Sequence, residues 1–114
     1  MKIMSRLYSP SLLAGGGLLL SLLAVAPLEA ADPFEGGKLY AESCGRCHGA
    51  TGRGTMPGAP DFSRSADPTN GLMQGNALLL DRIRKGGTTC PTFRSVYTEE
   101  QIMNIIAHIR RLQQ

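Results

Sequence analysis

Five consecutive residues, Cys44-Gly45-Arg46-Cys47-His48, limit what this chain can become more than anything else in it. C-x-x-C-H is the attachment motif of c-type haem. Two thiols three residues apart can add to the two vinyl groups of one haem edge as thioethers. The histidine that follows then lies beside the iron and can supply a ring nitrogen. The same two cysteines could also form a redox dithiol or half of a zinc site. Zinc would need two further ligands at comparable spacing, and the chain offers only the distant Cys90 and His108. A thioredoxin-type site would need a βαβ pattern around the motif, and none is visible. The motif therefore reads as one covalent haem c held by Cys44 and Cys47, with His48 as proximal iron ligand.

An oxidising compartment suits such a site, and the first residues read as an export signal. Lys2 and Arg6 precede an apolar stretch from Leu12 to Ala26, and Leu28-Glu29-Ala30 suits a signal peptidase. Residues 1–30 are thus expected to be a signal peptide, cleaved after Ala30, and residues 31–114 a mono-haem domain. An uncleaved anchor is the alternative. The stretch is short of the roughly 20 residues of a membrane span and is interrupted by Gly15-Gly16-Gly17. The expectation is export to the periplasm, with no stable membrane insertion after cleavage.

Removing 30 of the 114 residues leaves 84. A core that small is marginal alone and usually needs a staple. A covalent macrocycle would be one. The mature chain keeps ten Lys and Arg against eight Asp and Glu, a balance that argues against a nucleic-acid partner.

Helical signals bracket a long irregular middle. Asp32-Pro33-Phe34-Glu35 reads as a capped start of a helix running to about Ser43, with Leu39 and Tyr40 facing inward. Gly36 and Gly37 would weaken that helix unless another backbone comes close. Residues 49–75 hold six glycines and three prolines (Pro57, Pro60, Pro68) and read as loop. Asn76 is expected to cap a short helix over 77–85, with Leu78, Leu79 and Ile83 on its apolar side and Gly86-Gly87 ending it. Thr98-Glu99-Glu100-Gln101 is a capping box. It opens a helix to about Leu112 with Ile102, Ile105, Ile106, Ile109 and Leu112 in one apolar stripe. No strand pattern appears, so the expected class is all-α, about three helices with long loops.

These residues resemble the small class I cytochromes c of bacteria across nearly all of residues 31–114. The family carries a Gly and an aromatic eight and four residues before its first haem Cys, where Gly36 and Tyr40 stand. The resemblance implies that this helix crosses the last one, with Ile105 and His108 at the matching contact positions. It implies a haem-wrapping class I fold, and a proximal loop from His48 through Ala59-Pro60-Asp61-Phe62. Pro60 there matches the proline whose carbonyl accepts a hydrogen bond from the ligand histidine, a bond that orients the ring.

One position departs from the family. Its pattern runs Ile-x-x-Gly to Met-Pro-x-Phe, whereas this chain has Ile83-Arg84-Lys85-Gly86 and then Cys90-Pro91-Thr92-Phe93. Cys90 stands in the place of the axial Met, and a thiolate is a strong ligand for ferric iron. The expected pair is His48 and Cys90. Met73 is the alternative sixth ligand, an open or water-bound position is another, and a spare or buried thiol at Cys90 stays in play. Met56 lies too near His48 in sequence if Pro60 stays on the proximal side, while Met103 and His108 read as packing residues.

The function implied is single-electron transfer with periplasmic redox proteins, at a potential lowered by the anionic ligand. No paired carboxylates, nucleophile-base pair or nucleotide loop suggests an enzyme. The second reading is a haem subunit of a sulfur-oxidising (thiosulfate) system or a gas-binding haem protein, which resemblance to other cysteine-ligated c-type haems implies. It would make the chain part of a larger complex.

Overall fold

The computed structural model describes residues 29–113. The expected signal peptide and its cleavage site therefore fall almost wholly outside the described residues. Four helices follow in order: α1 (Pro33–Ser43), α2 (Gly45–His48), α3 (Asn76–Lys85) and α4 (Glu99–Arg111). No strand occurs among the described residues. None of these helices is long and apolar enough to cross a membrane.

The first helix starts as its sequence dictates. Asp32 is the N-cap, its carboxylate accepting from the Phe34 and Glu35 backbone N–H groups at 2.8 and 3.3 Å, and Pro33 takes the first helical position. α4 begins with the reciprocal capping box. The Gln101 N–H donates to Thr98 Oγ1 at 3.2 Å, and the Thr98 N–H to Gln101 Oε1 at 2.9 Å.

α1 and α4 cross in close contact, and Gly36 is the reason they can. A Cβ at Gly36 would run into the backbone oxygen of Asn104, and one at Gly37 would fall 3.0 Å from His108 Nδ1. Glycine's cost in a helix interior is offset by the burial this approach permits. Asn104 adds a polar tie, its Oδ1 accepting from the Asp32 N–H at 2.7 Å. Next to the crossing, Tyr40 is 1 % exposed. Its ring lies 5.0 Å from that of His108, and its hydroxyl donates to the Gly49 carbonyl at 2.8 Å. The core is Leu39, Tyr40, Leu72 and Leu79 packed on Ile102, Ile105, Ile106 and Ile109 of α4.

The third helix differs from expectation in two respects. Its N-cap is Gly75, and no side chain caps it. The Asn76 Oδ1 instead accepts from Arg110 Nε at 2.9 Å, a long-range bond that takes the oxygen away from a capping role. The helix is also rotated relative to the expected apolar side. Leu78 points outward, 60 % exposed, while Leu79 is buried and Leu80 and Ile83 pack against the core. Gly86, with φ +70°, ends the helix as expected.

Residues 49–75 contain no helix or strand, as expected, yet they are closely tied. Asn70 is buried, donates from Nδ2 to the Asp61 and Arg64 carbonyls, and accepts from the Leu72 N–H. Arg110 of α4 donates to the Leu72 and Gln74 carbonyls at 2.9 and 2.8 Å. These two side chains give the glycine-rich segment a defined path.

Candidate haem site

The motif forms a single helical turn. Cys44 closes α1 by donating its N–H to the Tyr40 carbonyl at 2.7 Å, and its own carbonyl accepts from the N–H groups of Cys47 and His48. One turn brings residues i, i+3 and i+4 to one side. Cys44, Cys47 and His48 accordingly line the same cavity. Gly49 follows at φ +77° and lets the chain turn away. The sequence reading ended the first helix at about Ser43 and assigned no helix to the motif itself. The helix count is four for that reason, where about three were expected.

His48 is held on two sides. Its Nδ1 lies 3.3 Å from the Pro60 carbonyl, which can only accept, so Nδ1 carries the proton. Its ring stacks on Phe62, 4.2 Å between centroids and 18° between planes. Burial lowers the basicity of the imidazole below its ordinary 6.5, and the Pro60 bond partly opposes that. With Nδ1 donating, the lone pair sits on Nε2, the state a metal ligand requires.

The cavity measures about 350 Å³. Its apolar wall comes from Leu72, Leu79 and Ile83, with Phe93 and Ile106. Pro60 and Phe62 contribute the loop side, and the segment from Thr88 to Pro91 closes another. Cys90 therefore lines the same cavity as His48. Burial, and then the neighbouring Cys90 and Cys47, push the Cys44 thiol up to about 12. Cys44, Cys47 and Cys90 all line the one cavity. The Cys90 thiol is also pushed up, by burial first, with Arg82 pulling it down and Cys47 pushing it up.

The Cys90 turn is pinned to the end of α3. Gly87 N–H donates to the Cys90 carbonyl at 2.8 Å, and the Phe93 and Arg94 N–H groups reach the Ile83 and Arg84 carbonyls at 3.3 Å. Thr92 Oγ1 donates to the Arg84 carbonyl at 2.6 Å. A Cβ at Gly86 would fall 2.6 Å from the Pro91 oxygen and 2.7 Å from that of Cys90. Glycine at 86 is what lets the turn fold back so tightly.

Of the other candidates, Met73 is 69 % exposed and is not among the lining residues. Met56 does line the cavity, while Met103 packs on the core. His108 lies in the helix crossing and takes no part in the lining. A second, wider depression of about 670 Å³ is lined by charged and polar residues, among them Arg53, Asp61, Arg64 and Asp67. It shares no residue with the apolar cavity, and Ser63 and Thr69 occupy its two carboxylates.

Several residues that shape the site escaped the sequence reading. Asn70, Arg82 and Ser43 all line the cavity, and the Ser43 hydroxyl bonds that of Tyr97 at 2.6 Å. A polar Asn amid glycines, placed like a turn residue, carried no local sign of its bonds to the Asp61 and Arg64 carbonyls.

An apolar cavity that gathers two thiols, an imidazole with a free Nε2 and a third thiol fits an iron macrocycle. Comparisons with known proteins agree. No curated protein matches the chain. Among solved structures, the KustC0563 c-type cytochrome is similar with a TM-score of 0.60 at 24% sequence identity, over 69% of this chain and 98% of that one. That likeness gives the fold, class I cytochrome c, all-α as expected. The family model of cytochrome c oxidase, cbb3-type, subunit III matches residues 31–109. This chain belongs to that family, as an electron-carrying c-type cytochrome domain with covalently bound haem c.

Proposed function

We propose that the chain is an exported single-electron carrier, with its haem joined to Cys44 and Cys47 and its iron held between His48 and Cys90. When bound, the haem accepts and releases one electron at a time. The residues of the chain set the conditions. Pro60 fixes the tautomer of His48 and presents Nε2 to the iron. Phe62 restrains the ring by stacking. Leu72, Leu79, Ile83 and Ile106 exclude water from the cavity, so that less solvent reorganises as the iron changes charge. Lys2, Arg6 and the apolar stretch after them support export to the periplasm. The family is named for an oxidase subunit, which supports a place beside larger redox assemblies.

The observation that carries the ligand assignment is that Cys90 lines the cavity shared by His48 and both motif cysteines, while Met73 stays outside it. Cys90→Ala should open the iron to exogenous imidazole and carbon monoxide, and Met73→Leu should not. Opening by Met73→Leu, with Cys90→Ala silent, would overturn the assignment.

A further inference from the structure

Arg82 stands in the last turn of α3 and lines the haem cavity together with Thr88, Thr89 and Cys90. The Nη edge of its guanidinium is pressed against Gly87. A Cβ there would fall 2.6 Å from Nη2, 2.7 Å from Nη1 and 2.9 Å from Cζ. Gly87 is also the residue whose N–H closes the turn onto the Cys90 carbonyl at 2.8 Å. The cation therefore covers the backbone that carries Cys90, and only glycine leaves room for it.

The nearby carboxylates are committed elsewhere. Asp81 pairs with Lys85 at 2.8 Å and Glu99 with Arg84 at 2.6 Å. Among the described residues no ion pair involves Arg82. The Arg82 guanidinium thus stands at the edge of an apolar cavity with no carboxylate partner among the described residues. In a low-dielectric setting its charge favours an anion beside it.

We propose that Arg82 is a positioning residue for the iron site, clamping the 87–90 turn through Gly87 and supplying the positive charge that faces the Cys90 sulfur. This rests on Cys90 being the sixth ligand. The partner charge offsets the cost of placing a thiolate among apolar residues, and the planar group resists withdrawal of the turn from the cavity. Loss of an outer partner of a metal ligand typically costs about 10- to 100-fold in metal affinity or activity.

Imidazole binding to the ferric holoprotein reads this directly, since imidazole must displace the thiolate. Arg82→Gln should tighten imidazole binding by about 10-fold or more. Arg82→Lys keeps the charge without the plane and should give a smaller gain. Gly87→Ala leaves Arg82 in the chain but drives the guanidinium off, and should tighten imidazole binding too. In a Cys90→Ala background Arg82→Gln should change nothing, because no thiolate remains to be held. Unchanged imidazole affinity in Arg82→Gln and Gly87→Ala would overturn the proposal, as would an equal gain with and without Cys90. A parent ferric spectrum lacking the thiolate signature would instead overturn the ligation itself, and the role of Arg82 with it.

Discussion

As a thiolate ligand, Cys90 would differ from a methionine by one negative charge and by one carbon fewer between backbone and sulfur. A neutral thioether in its place would remove stabilisation from ferric iron. Cys90→Met should therefore raise the reduction potential, with a methionine-to-iron charge-transfer band where the longer side chain reaches. Potentiometric titration checks the direction, and a fall in potential would contradict it. His108 makes a different kind of statement. Burial, with Arg111 beside it, holds its imidazole below the ordinary 6.5, against a pull upward from the Pro33 backbone. A folded value below the unfolded one means that the unfolded chain binds more protons on the acid side. The neutral ring thus contributes stability that is present above pH 6.5 and lost as pH falls through the folded value. His108→Phe should keep the haem spectrum and melt less steeply with acid than its parent between about pH 7 and pH 5, as followed by thermal denaturation.

At the scale of elements, the crossing of α1 and α4 hangs on Gly36. Gly36→Val would force a branched side chain into the Asn104 backbone and should cost about 3 kcal/mol, read by denaturant unfolding of the holoprotein. An unchanged midpoint would mean that the helices adjust freely. The crossing was expected from the resemblance to class I cytochromes c, whereas the glycines alone said only that some backbone should come close to the first helix. The phase of α3 was not legible. Leu78, Leu79 and Leu80 run consecutively, so periodicity could not choose among them, and the contact with α4 decided. The cap was misread for a related reason. Asn76 has the right chemistry for an N-cap, but Arg110, 34 residues away, claims its oxygen. Local patterns report local competition, and both differences arose where a distant residue won.

On the scale of the whole molecule, a small core is wrapped around one large apolar group. Replacing both Cys44 and Cys47 should leave mostly unfolded apoprotein by circular dichroism, since a core this size lacks its staple. A mass spectrum of denatured protein should show the chain from Ala31 plus one haem, and loss of haem under acid-acetone would contradict covalent attachment. The motif was legible from its own chemistry, while the expectations for Pro60 and Cys90 came from the resemblance to class I cytochromes c. Asn70, Arg110 and Arg82 were not legible, because their roles exist only once the long loop and the 87–90 turn have folded onto the helices. The electronic spectrum of the purified ferric protein tests the proposed His48 and Cys90 pair most directly. His48 and Cys90 ligation predicts a low-spin thiolate signature without the methionine band. A methionine band in the parent, or a high-spin spectrum with water at the sixth position, would contradict it.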